Sequence, residues 1–161
     1  MKYSFDTSAI IDFWEHYPVT NPNFEKLWEW FVEKIGEELF VISDIAKIET
    51  NKKDKELFDW LKNNGANIMI DKKDIQDLKI VQDIKDELGI IEDQYHPKGI
   101  DENDLFIISI AKRNNRILVS NESIQNNLPD IKSKYKIPAI CNLSQVNLEC
   151  INLLTLLKYD L

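Results

Sequence analysis

Glycine is scarce in this sequence, with four residues in 161, and none falls in a G-x-G-x-x-G or G-x-S-x-G pattern. The chain therefore lacks the turn with which dinucleotide-binding folds approach a pyrophosphate, and it lacks the nucleophile elbow of Ser-His-Asp hydrolases. Two cysteines, Cys141 and Cys150, and two histidines, His16 and His96, do not have the spacing of a zinc site. We expect both cysteines to be reduced and buried.

Long hydrophobic runs are also missing from the chain. No stretch approaches the roughly 20 apolar residues of a membrane-spanning helix, and Met1–Ser4 does not begin a signal-peptide core. We therefore expect a cytoplasmic protein that makes no membrane contact. An apolar content of 43% with four tryptophans is typical of a globular protein, and the length predicts a single domain over residues 1–161.

Positive charge is in the minority, and the net charge is −8 with 28 acidic residues. This balance argues against binding nucleic acid through bulk charge. It does not exclude a nuclease, because clustered carboxylates that hold metal ions also make a chain acidic. The basic residues bunch at 52–55, 112–116 and 132–136, and we interpret each bunch as a solvated helix face in preference to a phosphate track.

Short apolar runs that end in polar residues predict five strands. These lie at Tyr3–Phe5, Leu39–Ile42, 67–70, 116–119 and 137–141. Helices are predicted at 8–16, 21–36, 43–49, 57–61, 75–88, 101–114 and 148–157, with the basic segment 51–55 between two of them. Strands that alternate with helices predict an α/β fold around a parallel sheet.

Four acidic residues occupy comparable places in this pattern. Asp6 ends the first strand, Glu49 follows the second strand by two helical turns, Asp104 opens the strongest helix, and Glu122 follows a later strand. In a parallel sheet these junctions face one edge, where the carboxylates would repel one another unless a cation held them. Mg²⁺ and Mn²⁺ prefer such oxygen ligands. The plainer interpretation, in which each acid is a helix cap or a surface charge, stays open on position alone.

The order of these motifs resembles that of the PIN-domain nucleases. Asp6-Thr7-Ser8 follows the first strand, Val41-Ile42-Ser43 precedes Glu49, Asp104-Leu105-Phe106-Ile107 opens a helix, and Leu118-Val119-Ser120-Asn121-Glu122 ends a strand. The tryptophan-rich second helix and the segment K-I-P-A-I-C-N-L resemble the PIN-like DUF4411 family in particular. The resemblance runs from Lys2 to about Leu157. It implies a three-layer α/β/α fold with a central, mostly parallel sheet of four or five strands.

The resemblance also implies a set of functional residues. Asp6, Glu49, Asp104 and Glu122 match the acidic quartet that binds Mg²⁺ or Mn²⁺ for hydrolysis of RNA. Ser8 and Ser120 match small polar positions that orient carboxylates or water, and Asp101 is either an auxiliary acid or a helix cap. Many small members are toxins silenced by an antitoxin protein, so an antitoxin and a homodimer are both expected partners.

Two departures from the family pattern keep an alternative open. Position 122 is Glu where many members carry Asp, and the extra methylene displaces the carboxylate. The chain is also acidic, although Lys47, Lys52, Lys53, Lys112 and Arg113 could form a basic rim for the substrate. The alternative is a non-catalytic module that binds RNA or protein. A phosphatase with a strand-end Asp nucleophile is disfavoured, because the second Asp of that pattern is replaced here by Ser8.

Overall fold

Four parallel strands form the central sheet of this computed structural model, which describes residues 1–161 with the side chains of 66 and 67 left out. The strands are β1 (Tyr3–Phe5), β2 (Phe40–Val41), β3 (Ile117–Val119) and β4 (Cys150–Ile151), in the order β2-β1-β3-β4. β1 lies at the centre, where Tyr3 pairs with Phe40 on one side and Ile117 on the other. The α/β architecture with a parallel sheet of four strands is confirmed.

Helices fill the connections between the strands and flank the sheet. They are α1 (Thr7–His16), α2 (Glu25–Gly36), α3 (Asp44–Lys53), α4 (Lys55–Asn64), α5 (Ile75–Leu88), α6 (Glu102–Arg113), α7 (Ile137–Cys141) and α8 (Leu153–Asp160). Single turns of 3₁₀ helix lie at Pro22–Phe24, Ala66–Met69 and Lys132–Lys134. Within the described residues, no helix combines the length and the apolar character needed to cross a membrane.

An aromatic cluster packs on one face of the sheet. Tyr3 and Phe5 project from the same face of β1, because side chains two residues apart in a strand point the same way. The Phe5 ring lies 5.2 Å from that of Phe40 and 5.6 Å from that of Phe31 on α2, both edge-on. Trp28 packs 4.4 Å from Phe13 of α1, and its indole N–H donates to the Tyr17 carbonyl at 2.7 Å. The tryptophan-rich stripe of α2 is therefore core.

The predicted strand at 67–70 is wrong. The chain instead forms the 3₁₀ turn Ala66–Met69 beside β2. The contact with β2 is narrow: the amide of Ile42 donates to the Ile68 carbonyl at 2.7 Å, and a single parallel bridge joins Ser43 to Asp71. An apolar run of four residues does not distinguish an edge strand from a buried turn by its pattern alone.

The predicted last strand at 137–141 is also wrong, since these residues form α7. Pro138 lies in the first turn of α7, where a missing N–H costs nothing and a fixed φ favours a helix. The fourth strand is β4, which was expected to be part of a helix at 148–157. It pairs with β3, because the Ser120 amide donates to the Ile151 carbonyl at 2.9 Å, and α8 begins only at Leu153.

The basic segment 51–55 does not interrupt the helices as expected. α3 continues to Lys53, and a single residue, Asp54, separates it from α4. The Asp54 carboxylate caps α4 by accepting the Leu57 amide at 2.9 Å. Such a side-chain cap allows two helices to adjoin without a loop.

Two arginines neutralise acids that are buried away from the site described below. Asp71 and Arg116 form an ion pair whose side chains are only 7% and 6% exposed, and Arg116 also donates to the Glu38 carbonyl at 3.0 Å. Asp77 is fully buried, which by itself would raise its pKa, but bonds from Arg113 and Ser109 hold that pKa below its usual range. These pairs attach α5 and the 3₁₀ turn to α6 and β3.

We predict that Arg116→Met lowers the free energy of unfolding by about 3 kcal/mol, because it leaves the Asp71 carboxylate buried without its partner. Urea denaturation measures the change. The matched control is Lys79→Met, which removes a pair with Asp83 whose lysine side chain is 81% exposed and should cost less than about 1 kcal/mol. Equal losses in the two variants would contradict the structural role of Arg116.

Candidate active site

The carboxyl ends of the strands meet at one edge of the sheet, and Asp6 lies at its centre. Its amide donates to the Val119 carbonyl at 2.8 Å, so Asp6 directly continues the ladder between β1 and β3. Asp6 is 3% exposed. It occupies the N-cap position of α1, yet its side chain makes no capping hydrogen bond. The start of α1 still favours the charged carboxylate, because the backbone N–H groups of Thr7 and Ser8 lower its pKa.

Two serine hydroxyls hold the Asp6 carboxylate. Ser8 donates to Oδ2 of Asp6 at 2.6 Å, and Ser120 donates to the same oxygen at 3.0 Å. Burial raises the pKa of Asp6, and the two hydroxyl bonds lower it in part. The serine oxygens in turn accept the amides of Asn121 at 3.1 Å and Glu122 at 3.3 Å. Both serines that the sequence singled out thus contact Asp6 and the segment that carries Glu122.

Glu49 approaches the same edge from α3. The helix starts at a Ser43 cap, whose hydroxyl accepts the Ala46 amide at 3.1 Å, and this start places Glu49 in the second turn. Thr7 donates to Oε1 of Glu49 at 3.0 Å. Burial raises the pKa of this half-buried carboxyl, with Asp101 and Asp6 acting in the same direction and Lys53 opposing them.

Asp104 lies in the first turn of α6, opposite the N-cap residue Asp101. The two form a capping box, in which Asp101 accepts the Asp104 amide at 2.9 Å and Asp104 accepts the Asp101 amide at 3.3 Å. Burial raises the pKa of Asp104 to about 9, with further contributions from Asp101, Glu122 and Asp6. Asp101 is therefore a helix cap that also adds negative charge to the site.

Glu122 follows β3 and reaches the start of α7. Its Oε2 accepts the Ile137 amide at 3.0 Å. Burial raises the pKa of Glu122, the Ile137 amide lowers it, and the charges of Asp6 and Lys136 act in opposite directions. The longer side chain of Glu, compared with Asp, thus bridges the loop after β3 to the helix that follows.

The four predicted acids lie near enough at this edge for their charges to influence one another. Asp6 raises the pKa of each of the other three, and Glu122 raises that of Asp104. Among the described residues, no three or more Asp, Glu, His or Cys side chains are already arranged around a point that a metal ion could fill. The donor chemistry suits a hard divalent cation, but ligation by three carboxylates requires side-chain rotation.

The candidate substrate residues divide into two groups. Lys112 and Arg113 lie at the far end of α6, eight or more residues from Asp104 or roughly 12 Å along a helix. Lys112 donates to the Val146 carbonyl and Arg113 donates to Asp77. Both side chains are therefore already engaged in intramolecular hydrogen bonds. Lys47 and Lys52 lie on α3, the helix that carries Glu49.

Sequence reasoning missed three kinds of contact at this edge. Thr7 binds Glu49, Lys136 lowers the pKa of Glu122, and Asn121 links three elements. The Asn121 amide donates to Asp12 on α1 at 2.8 Å, and its oxygen accepts the Leu153 amide of α8 at 2.8 Å. Asn121 stands inside the L-V-S-N-E motif, but its partners are 109 and 32 residues away, and no local pattern reveals them.

A cavity of about 460 Å³ adjoins the acids where β3 and β4 end. It shares Ser120 and Glu122 with them, and the loop after β3, α7 and the start of α8 form its walls. Its lining consists of Asp12, Ser120, Asn121, Glu122, Ser123, Ile124, Pro138, Asn142, Cys150, Ile151, Asn152 and Leu154.

A family model described as a domain of unknown function, DUF4411, matches residues 3–160. The chain belongs to the DUF4411 family. The match spans nearly the entire sequence and confirms the resemblance suggested by its motifs. Comparison with curated proteins gives no match.

Among solved structures, the DUF4411 chain is similar to a chain in the crystal structure of VapBC2 from Rickettsia felis bound to a DNA fragment from the promoter. The two are 18% identical, the TM-score is 0.56, and the alignment covers 94% of this chain and 98% of the other. At this identity the likeness shows the fold, which is PIN-like.

We predict that Asp104→Asn stabilises the DUF4411 chain above neutral pH in the presence of EDTA. Between pH about 4 and 9 the folded chain keeps a proton on Asp104 that the unfolded chain has lost. The wild type therefore loses stability as pH rises through this window. Thermal unfolding at pH 6 and pH 9 should show a smaller fall in Tm for Asp104→Asn, by a few degrees or more.

Asp130→Asn, at an exposed position, is the matched control and should follow the wild-type pH dependence. If Asp104→Asn also followed the wild-type curve, Asp104 would not carry the raised pKa.

Proposed function

We propose that this DUF4411 chain is a ribonuclease that depends on Mg²⁺ or Mn²⁺. The observation that carries the proposal is that Asp6, Glu49, Asp104 and Glu122 lie at one edge of the sheet, with the pKa of every one raised. Carboxylates that raise one another's pKa are destabilising in the absence of a counterion. A cation of high charge relieves this repulsion and displaces the remaining protons.

The contrast with the other buried acids supports a cation at this site. Asp71 and Asp77 have arginine partners, whereas the donors to Asp6 are serine hydroxyls and backbone N–H groups, and the donor to Glu122 is a backbone amide. In Glu49, Asp104 and Glu122, the described hydrogen bonds engage only one of the two carboxylate oxygens. The second oxygen of each carboxylate is the ligand that we propose for the metal ion.

In the proposed reaction the chain's own residues position the metal and the phosphodiester. When bound, Mg²⁺ or Mn²⁺ polarises the phosphoryl group and activates a water molecule for hydrolysis. Asp6 would be the central ligand, because Ser8 and Ser120 fix its orientation. Glu49 and Asp104 would complete the ligand set from α3 and α6, and Glu122 would contact it from the loop after β3. Ser8 and Ser120 act through Asp6 as positioning residues.

The substrate would be an RNA strand held by lysines around the acids. Lys53 lowers the pKa of Glu49, and Lys136 lowers that of Glu122, so a positive charge lies on each side of the cluster. Lys52 lies beside Lys53 in the last turn of α3, whereas Lys47, two residues from Glu49, faces nearly the opposite side of the helix. Such local contacts, and not the net charge, would attract the phosphates, and binding should weaken as salt is raised.

A non-catalytic module that binds RNA or protein is the second candidate. It is favoured by the absence, among the described residues, of a preformed group of three metal-ligating side chains. The Glu122 carboxylate also already accepts a bond from the Ile137 amide, so α7 competes with a metal ion for this acid. Metal binding distinguishes the two candidates.

A protein partner forms part of the proposal. The similar structure is described as VapBC2 bound to a DNA fragment from the promoter. By analogy we propose that this chain is a toxin silenced by an antitoxin, with a homodimer as a further assembly. The proposed compartment is the cytoplasm, where both RNA and such a partner are present.

We predict that the wild-type protein cleaves single-stranded RNA with Mn²⁺ and that Asp6→Asn lowers the rate at least about 100-fold. The change removes the central ligand charge, worth several kcal/mol in the transition state, while an amide oxygen still accepts the two serine hydroxyls. Gel analysis of a labelled oligonucleotide measures the rate. Asp130→Asn, the control at an exposed site, should cleave like the wild type.

Titration calorimetry with MnCl₂ separates the two candidate functions. The nuclease predicts metal binding that Asp6→Asn weakens. No binding at millimolar Mn²⁺, together with equal RNA cleavage by the wild type and Asp6→Asn, would exclude the nuclease and favour the binding module.

A further inference from the structure

The cavity beside Glu122 has the size of a small-ligand site. Its volume of about 460 Å³ falls within the roughly 300–1,000 Å³ typical of such sites. It opens at the carboxyl ends of β3 and β4, the edge where ligands bind in parallel sheets. Because Ser120 and Glu122 belong both to the cavity and to the acid cluster, a bound ligand would lie directly beside the proposed metal site.

The lining of the cavity defines the chemistry of its ligand. Among the residues that line it, the charged side chains are the carboxylates of Asp12 and Glu122, and none is Lys, Arg or His. A phosphate is therefore disfavoured, because no cation would neutralise it. The remaining wall combines amide side chains with the apolar side chains of Ile124, Pro138 and Leu154. This combination suits a flat, uncharged group with hydrogen-bonding edges.

One carboxylate of the cavity is held in place before any ligand binds. Asn121 donates to Oδ2 of Asp12 at 2.8 Å, and Asn121 is itself fixed by the Leu153 amide at 2.8 Å. The carboxylate of Asp12, on α1, is therefore a hydrogen-bond acceptor whose orientation in the cavity is fixed. An acceptor of this kind selects a ligand edge that carries an N–H donor, because a carbonyl oxygen facing it would be repelled.

We propose that this cavity binds one base of the RNA strand and prefers bases with an exocyclic amino group over uracil. This rests on the proposed function, since it names the substrate feature recognised beside the same acids. The amino group of cytosine or adenine would donate to Asp12, as carboxylates accept from cytosine N4 in base readout. Asn142, exposed at the rim, would bond the adjacent edge of the base, and the apolar wall would cover its face.

Uracil presents a carbonyl oxygen where cytosine presents its amino group. In the cavity that oxygen would face the Asp12 carboxylate, so that two acceptors would meet with no hydrogen between them. A mismatched base edge should weaken binding roughly tenfold, which corresponds to about 1.4 kcal/mol. The cavity would thus determine which nucleotide is bound next to the cleaved phosphate.

Titration of the protein with uncharged nucleosides in EDTA tests the cavity apart from catalysis. The probes are cytidine, adenosine and uridine, and the readout is the NMR signals of the asparagine side-chain amides. We expect cytidine and adenosine to shift the Asn121 and Asn142 signals with about tenfold tighter binding than uridine. Asn142→Leu should reduce this preference, whereas Asn126→Leu, at an exposed position outside the cavity, should retain it.

Equal binding of all three nucleosides, or no shift of these signals at millimolar nucleoside, would overturn the base site. Cleavage of oligonucleotides that differ at one base separates this failure from that of the proposed function. Metal-dependent cleavage with no base preference would leave the nuclease standing and refute the base site. Selective nucleoside binding without cleavage would support the base site and refute the nuclease.

Discussion

The burial of Asp6 at the end of the central strand is the constraint on which the rest of the site depends. A carboxylate that is 3% exposed must be hydrogen-bonded, neutralised or protonated. Here Ser8 and Ser120 supply hydrogen bonds without supplying charge. The same two hydroxyls accept the amides that follow β3, so the interaction that satisfies Asp6 also fixes the approach of Glu122.

The buried acids of this fold fall into two groups. One group is paired with arginines, and the other has no arginine partner among the described ion pairs. Asp71 and Asp77 are balanced by arginines, which gives α5, α6 and β3 permanent ion pairs. The acids at the carboxyl edge have no such partner among the described ion pairs, and burial raises the pKa of Asp6, Glu49 and Asp104. Carboxyl groups whose pKa is raised by burial are costly for folding and are typical of functional sites.

The fold and the position of the four acids at one edge of the sheet could be predicted from sequence because each depends on local pattern. Asp6 and Asp104 lie directly at a strand end and a helix start. The order of the four motifs along the chain indicates Glu49 and Glu122 as well. The stretches at 67–70 and 137–141 could not be predicted, because short apolar runs fit a strand, a 3₁₀ turn or a short helix equally well. The roles of Arg113, bound to Asp77, and of Asn121 depend on contacts over 30 or more residues.

The most consequential wrong prediction concerns the element that positions Glu122. Had 137–141 been a strand, the Ile137 amide would belong to a sheet ladder. As the first residue of α7 it is free to donate to the Glu122 carboxylate, because the first amides of a helix have no partner within it. A shorter Asp at 122 would not span the same gap. The Glu at position 122 and the helix that replaces the expected strand are therefore one structural solution, in which the longer side chain reaches the first amide of α7.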